Sequence, residues 1–226
     1  EMEKTRMYQR YGKRCLDVIL SLIALLVLSP LLLLIALAIL LDSPGGVIFS
    51  QNRVGMHKKL FNIYKFRTMR TDTPHDVPTN DLAGSTSYIT PVGRFLRMTS
   101  LDELPQLWNI LKGEMSLIGP RPALWNQYDL IALRDQYGAN DVRPGLSGWA
   151  QVNGRDYLSR DLEKKARRDG EYARHITFWF DLKCFLLTIV KVINRQGIAE
   201  GAEGKDEKSG SADSNHTNEK RAEGQP

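Results

Sequence analysis

The chain has 226 residues, 42% of them hydrophobic and 25% charged, a balance typical of a folded protein and not of a disordered chain. It holds two cysteines, Cys15 and Cys184, too few for a disulfide framework or a cysteine-rich zinc site. The formal net charge is +5, and because residues 200–226 hold seven acids and four bases, the rest of the chain is more basic still. A basic body favours an anionic partner: a phosphate ligand, a lipid headgroup or a nucleic acid.

The first predicted element is an apolar helix over residues 18–41, which contain no formal charge. Its length suffices to cross a bilayer hydrocarbon core of about 30 Å. A cleaved secretory signal is disfavoured because the run is long and no small-residue cleavage site follows it, so we expect it to stay in the mature protein. Ser29 and Pro30 lie at its middle, where proline removes one backbone hydrogen bond and predicts a kink. The Ser29 hydroxyl can supply a replacement donor.

The charges beside this apolar run help to predict its topology. A crossing helix is expected to have basic residues depleted on one side, whereas here both flanks are basic. This favours a re-entrant helix–break–helix that returns to the cytoplasm, with a kinked single-pass span as the alternative. The basic residues are Lys4, Arg6, Arg10, Lys13 and Arg14 before the run, and Arg53, Lys58, Lys59, Lys65 and Arg67 after it.

The rest of the chain predicts a small mixed domain. Residues 47–51 and 60–66 are typical of two strands around a turn at 55–59. Residues 70–93 are rich in turn-forming residues and predict a loop, and helical patterns follow at about 103–112, 124–137 and 159–171.

Near the C-terminus, residues 176–192 are apolar but interrupted by charges, which favours a helix lying in the membrane interface, with a core helix as the alternative. The fold class is therefore α+β and mostly helical. We divide the chain into a membrane segment (1–41), a domain with a short β-hairpin and interfacial amphipathic helices (42–199), and a disordered tail (200–226).

Asp102 and Glu103 are the first candidates for chemistry. Paired carboxylates can hold Mg²⁺, a carboxylate can attack phosphorus, and the nearby Arg94 and Arg97 could clamp phosphate oxygens. A structural explanation is also open, since Ser100 and Glu103 have the spacing of a helix capping box. Both roles are compatible with a helix that begins here.

Several basic residues occur on turns or strands that could meet an anion. Arg121 lies in a Gly-Pro-Arg-Pro turn that holds the backbone rigidly, and Lys65 and Arg67 are spaced to share one strand face. Arg143 and Arg155 belong to glycine-bearing turns that admit close approach. The four histidines are scattered, and neither a zinc-site spacing nor a Walker loop occurs in the sequence.

Taken in order, these motifs resemble the bacterial sugar transferases, also called monotopic polyprenyl-phosphate phosphoglycosyl transferases. The resemblance covers about residues 8–198. The sequence most resembles the small members of the family that begin protein glycan assembly, such as the assembly of bacterial N-linked glycans. The motifs are SP at 29–30, IFSQNRVG at 48–55, YKFRTM at 64–69, SLDELPQLWNILKG at 100–113, MSLIGPRP at 115–122, VRPG at 142–145, GWAQVNGR at 148–155 and FDLK at 180–183.

The resemblance implies a magnesium-dependent, ping-pong transfer of a sugar 1-phosphate from a UDP-sugar to polyprenyl (undecaprenyl) phosphate. It implies that Asp102 attacks the β-phosphate, expels UMP and carries the sugar phosphate, while Glu103 binds Mg²⁺ with Asp102 or orients the site. It assigns phosphate binding to Arg121 and, less directly, to Arg97, Arg155, Lys65 and Arg67. It places the protein in the bacterial inner membrane, among membrane lipids, as a monotopic enzyme with a cytoplasmic catalytic domain.

Alternatives remain open at this point. We expect an N-acetylated amino sugar in the donor, with a hexose as the alternative. A catalytically silent scaffold that binds anionic lipid would explain the basic face without turnover. Nucleic-acid binding rests on basicity alone and is not expected. The sequence also leaves open whether the protein forms a homodimer.

Overall fold

The computed structural model describes residues 7–74, 85–154 and 161–194. It confirms a mostly helical α+β fold, and the predicted tail over 200–226 lies outside the described residues. The strands are β1 (Ile48–Val54), β2 (Leu60–Phe66), β3 (Ser116–Ile118) and β4 (Gly145–Ser147). The helices are α1 (Lys13–Asp42), α2 (Ser85–Tyr88), α3 (Pro91–Thr99), α4 (Gln106–Lys112), α5 (Tyr128–Gln136), α6 (Trp149–Val152), α7 (Leu162–Arg174) and α8 (Phe178–Ile193).

Helix α1 is apolar on all sides but packs along only one of them. Its buried residues recur at helical spacing, as expected for one helix face: Asp17, Ser21, Ile35 and Ile39. The opposite side exposes large apolar side chains, among them Val27 at 70% and Leu33 at 74%. By length and hydropathy this helix could cross a membrane. An apolar face this large has no favourable place in water, so it needs a lipid or protein cover.

The helix continues through Ser29 and Pro30, so the predicted break is not an interruption of helical structure. Pro30 cannot donate to the carbonyl of Leu26, four residues earlier. The Ser29 hydroxyl donates to that carbonyl oxygen at 2.8 Å, which confirms that serine replaces the lost donor. The Leu26 carbonyl therefore keeps a hydrogen-bond donor within an apolar segment, although Pro30 supplies none.

Both ends of α1 contact the same domain. Near the start, Arg14 donates to the carbonyl of Leu111 at 2.9 Å, and the Asp17 carboxylate accepts from the backbone N–H of Leu117 at 3.0 Å. Near the end, Ile35 and Ile39 pack in one apolar cluster with residues of β2 and α3. Both ends of the helix are therefore fixed to this domain.

The predicted hairpin is confirmed. Strands β1 and β2 pair antiparallel with Ile48 opposite Phe66 and Val54 opposite Leu60, around a short helical turn over Met56–Lys58. Phe61 and Ile63 of β2 lie in an apolar cluster with α4. The hairpin thus holds β2 against the helix that follows the Asp102–Glu103 pair.

A second, parallel pair of short strands was not predicted. Ser116 of β3 pairs with Gly145 of β4, and Ile118 with Ser147. The backbones approach so closely that a Cβ on Gly148 would lie 2.0 Å from the carbonyl oxygen of Gly119. Only glycine fits there, and this close packing fixes the chain just before Arg121.

Helix α8 has two distinct faces. Asp181 and Cys184 are buried against the domain, whereas Trp179 is 74% exposed beside further exposed apolar side chains. This agrees with the predicted amphipathic helix and argues against a fully enclosed core helix.

A buried polar cluster joins the two apolar helices. The Asp181 carboxylate accepts from the Tyr8 hydroxyl at 2.6 Å, the Lys13 ammonium at 2.7 Å and the Tyr172 hydroxyl at 2.6 Å. Burial, followed by the hydrogen bond and the negative charge of Asp181, raises the pKa of Tyr8, so this hydroxyl stays a donor. The cluster ties the beginning of α1 to α7 and α8.

We expect Asp181→Asn to lower the free energy of unfolding by about 3 kcal/mol, because it leaves the buried Lys13 ammonium without its counter-charge. Denaturation in detergent measures the change. The matched control is Asp135→Asn, whose pair with Lys58 is about half exposed and is worth less than about 1 kcal/mol. Equal losses for the two variants would contradict the role given to the cluster.

Candidate active site

Asp102 and Glu103 lie on a tight helical turn, Leu101–Glu103, between α3 and α4. Ser100 precedes the turn in the left-handed conformation, with φ of 56°, and its side chain forms no capping hydrogen bond to the turn. Leu101 and Leu104 pack into the apolar cluster under α1, which anchors both sides of the turn. The alternative explanation as a capping box is therefore wrong, because the Ser100 side chain makes no capping hydrogen bond from this left-handed position.

Glu103 is instead shared by two cations. Its Oε1 accepts from the Lys65 ammonium at 2.9 Å and from the Arg121 guanidinium at 2.8 Å, with the Glu103 side chain only 12% exposed. The structure thus brings together three residues that are far apart in sequence, from β2, the turn and the segment after β3. All three were predicted site residues.

The Asp102 side chain is about as buried as that of Glu103, with 13% of it exposed. Its Oδ2 lies 4.0 Å from the Lys65 ammonium. The pKa of Asp102 is raised, mainly by burial and also by the charge of Glu103, while Lys65, Arg97 and Arg121 oppose the rise. The three cations therefore help to keep a poorly solvated carboxylate ionised, which is the form that can act as a nucleophile.

Arg97 is held by a residue that the sequence reasoning did not single out. Its Nε donates to the Thr68 hydroxyl at 2.9 Å, and Thr68 is buried just beyond β2. Because Arg97 lies in the last turn of α3, this bond turns the guanidinium back toward the hairpin. The only available signal was that Thr68 belongs to the same motif as Lys65.

Arg121 is positioned by the parallel strands. Gly119 donates to the Ser147 carbonyl at 2.8 Å, and Gly145 donates to the Pro120 carbonyl at 2.9 Å, so the backbone is fixed on the N-terminal side of Arg121. Pro122 fixes it on the other side. The guanidinium is therefore presented to Glu103 from the rigid turn that the sequence predicted.

The assembled group has two carboxylates, Asp102 and Glu103, and a larger number of cations. The cations are Lys65, Arg97 and Arg121, so the formal charge of the group is positive. An enclosed, positively charged group with a buried carboxylate is suited to a phosphate-bearing substrate.

The family model described as bacterial sugar transferase matches residues 8–195. The chain belongs to the bacterial sugar transferase family.

Three relatives show the range of this family. The UDP-glucose:undecaprenyl-phosphate glucose-1-phosphate transferase of Escherichia coli (strain K12) is 42% identical over 80% of this chain, and the match covers 40% of that protein. The UDP-N-acetylgalactosamine-undecaprenyl-phosphate N-acetylgalactosaminephosphotransferase of Aeromonas hydrophila is 39% identical over 82% of this chain and 44% of its own length. The uncharacterized sugar transferase EpsL of Bacillus subtilis (strain 168) is 38% identical over 83% of this chain and 90% of its own.

The chain thus spans about two fifths of the length of the first two relatives.

One predicted phosphate-binding residue, Arg67, does not join the group. The Arg67 guanidinium donates to the carbonyls of Pro44 and Ser43, the latter at 2.7 Å, so it binds the chain after α1 instead of lining the site. The spacing of Lys65 and Arg67 predicts one shared strand face, but Arg67 follows the end of β2 and has different partners from Lys65. Arg155 lies outside the described residues.

The Asp102–Glu103 pair fits a magnesium ion that takes its other ligands from substrate phosphates and water. Among the described residues no group of three or more His, Cys, Asp or Glu could hold a metal. Mg²⁺ is often bound by one or two carboxylates together with substrate phosphates and water. Both carboxylates approach the same Lys65 ammonium, so their oxygens converge on one small region. The donor set therefore fits an ion that arrives with a diphosphate.

Proposed function

We propose that this sugar transferase moves a sugar 1-phosphate from a UDP-sugar to undecaprenyl phosphate, releasing UMP, through a covalent intermediate on Asp102. The observation that supports the proposal most is the buried Asp102 carboxylate beside a Glu103 that two cations share. The names of the Escherichia coli and Aeromonas hydrophila relatives support the same donor class and acceptor.

In the first half-reaction, a carboxylate oxygen of Asp102 attacks the β-phosphorus of the UDP-sugar. The bond from the β-phosphorus to the bridging oxygen breaks, and UMP leaves with that oxygen. In the second half-reaction, a phosphate oxygen of undecaprenyl phosphate attacks the same phosphorus and frees Asp102. Catalysis of this kind relies on positioning and on stabilising the charge of the phosphoryl oxygens.

Each neighbour of Asp102 has a part in that scheme. Arg121 binds oxygens of the diphosphate from its rigid turn, and Arg97 and Lys65 add positive charge where charge develops. Glu103 orients Lys65 and Arg121 through its shared oxygen. Asp102 and Glu103 would hold Mg²⁺, which when bound supplies charge neutralisation to the phosphate oxygens. Loss of UMP release in EDTA and its recovery with Mg²⁺ test the metal.

We further propose that the protein is monotopic in the bacterial inner membrane, with its catalytic domain at the cytoplasmic face. The contacts of both ends of α1 with one domain support a helix that enters and leaves the membrane on the same side. The exposed apolar face of α8 supports the placement of that helix at the membrane interface. If tags at residues 1 and 226 reported opposite sides of the membrane, the result would contradict this topology.

The predicted donor is an N-acetylated amino sugar, and the Aeromonas hydrophila relative supports it. The Escherichia coli relative supports the alternative, a hexose. A panel of UDP-sugars decides between them, with UMP release measured for UDP-glucose, UDP-galactose, UDP-N-acetylglucosamine and UDP-N-acetylgalactosamine in the presence of undecaprenyl phosphate. Absence of UMP release from every donor would contradict the proposed function and favour the lipid-binding scaffold.

A further inference from the structure

Asn109, in the middle of α4, is a fully buried polar residue outside the group described so far. Its side-chain Oδ1 accepts from the backbone N–H of Tyr64 at 3.0 Å. Its Nδ2 donates to the backbone carbonyl of Asn62 at 2.7 Å and to Oε2 of Glu114 at 2.7 Å. A buried amide with hydrogen bonds on both its oxygen and its nitrogen is held in one orientation, so Asn109 joins α4 firmly to β2.

The two bonds from Asn109 to β2 resemble those of a neighbouring strand. Strand β2 pairs with β1 along one edge, and Asn109 binds the other edge. Its amide bonds the carbonyl of one residue and the N–H of the residue two positions further on, as a peptide group of a parallel strand does. Apolar packing between β2 and α4 is not directional, whereas hydrogen bonds are. The amide therefore fixes the position of β2 along its own axis.

This position determines where Lys65 begins. Lys65 follows Tyr64 directly, and its ammonium lies 2.9 Å from Oε1 of Glu103 and 4.0 Å from Oδ2 of Asp102. Helix α4 begins three residues after Glu103, so the acids and Asn109 belong to one short segment of the chain. The Asn109 bonds and the Lys65 ion pair are thus two connections between the same two segments. The first connection sets the backbone from which the second one reaches.

We propose that Asn109 is a positioning residue of the active site, which holds β2 so that Lys65 meets Asp102 and Glu103 at the distances observed. The inference rests on the proposed function, in which Lys65 adds positive charge where charge develops during attack on the β-phosphorus. The Asn109 side chain bonds protein groups, so it acts through Lys65. A cation that is already in place stabilises the transition state without reorganisation, and its displacement lowers kcat.

The test compares Asn109→Ala with Asn140→Ala. Asn140 is a matched control because it is also a buried asparagine, and its Nδ2 donates to the Ile131 carbonyl at 2.9 Å and to Oδ1 of Asp135 at 2.7 Å. We expect Asn109→Ala to lower kcat for UMP release about 10- to 100-fold, with the KM for the UDP-sugar within about threefold of wild type. Asn140→Ala should keep the wild-type kcat, while the thermal unfolding temperature falls by a few degrees in both variants.

A double-mutant cycle with Lys65→Met separates positioning from a general loss of structure. If Asn109 acts through Lys65, Asn109→Ala should lower kcat by less than about twofold in a Lys65→Met background, although the unfolding temperature falls as before. In the wild-type background its effect should not exceed that of Lys65→Met alone. Equal factors in the two backgrounds would contradict the inference, because they would show that Asn109 acts independently of Lys65.

A second variant, Asn109→Asp combined with Glu114→Gln, decides the matter if the alanine variant does not fold. It keeps the size of the side chain and the acceptor for the Tyr64 N–H, but a carboxylate cannot donate to the Asn62 carbonyl. We expect kcat to fall about 3- to 10-fold, as for one lost hydrogen bond, and this loss too should disappear in the Lys65→Met background.

A wild-type kcat in a folded Asn109→Ala, or in the double variant if the alanine variant does not fold, would overturn the inference and leave the proposed function intact. A wild-type protein that releases no UMP from any donor would instead overturn the proposed function, and the inference with it.

Discussion

Asp102→Asn should abolish UMP release. The amide has the size of the carboxylate but cannot attack phosphorus, so the covalent step is lost and not merely slowed. We expect kcat to fall by about 10⁴-fold or more, in the range seen when a covalent nucleophile is removed. The measurement is UMP release from the best UDP-sugar of the panel, at saturating undecaprenyl phosphate.

The matched control for this prediction is Asp129→Asn, since Asp129 lies exposed in the first turn of α5. It should retain wild-type activity. Because Asp102 is buried beside Lys65, its substitution also alters local charge, so thermal unfolding of both variants must be recorded. UMP release by a folded Asp102→Asn variant at more than a few per cent of the wild-type rate would defeat the covalent mechanism.

Arg121→Met is expected to have the next largest effect. Arg121 has two functions in the proposed scheme: it binds the diphosphate and it donates to Glu103 at 2.8 Å. Methionine keeps much of the side-chain length and loses both. We expect kcat/KM for the UDP-sugar to fall by about 10³-fold, comparable to removal of an arginine that stabilises phosphoryl transfer.

Two further variants make this result specific. Arg121→Lys should recover little activity, because an ammonium cannot reproduce the planar fork that meets a carboxylate and a phosphate together. Arg167→Met, an exposed arginine on α7, should behave like the wild type. A loss of less than tenfold in Arg121→Met would remove Arg121 from the phosphate site.

Much of the site could be predicted because its residues lie in compact local motifs. Residues 47–51 and 60–66 on either side of the 55–59 turn predict the hairpin, and charge on a strand and on a proline-flanked turn indicates Lys65 and Arg121 as site residues. The Ser29 hydroxyl was correctly matched to the backbone carbonyl that Pro30 leaves without a donor. In each case the physical cause acts within a few residues of the chain.

The errors arose where distant segments decide the outcome. Strands β3 and β4 have three residues each, too few to show an alternating pattern, and their pairing depends on glycines about thirty positions apart. Arg67 lies beside Lys65 in sequence but binds carbonyls that the end of α1 brings near. The Ser100–Glu103 spacing indicated a cap, yet Ser100 adopts a left-handed conformation and Glu103 faces two cations.

The central claim is that UMP departs before the acceptor reacts, leaving the sugar phosphate on Asp102. The most direct measurement is isotope exchange, in which the wild-type protein is incubated with the UDP-sugar, Mg²⁺ and radiolabelled UMP, without undecaprenyl phosphate. We predict that label enters the UDP-sugar pool with the wild type and not with Asp102→Asn. Robust acceptor-dependent turnover without any exchange would contradict the account and require direct transfer between the two substrates.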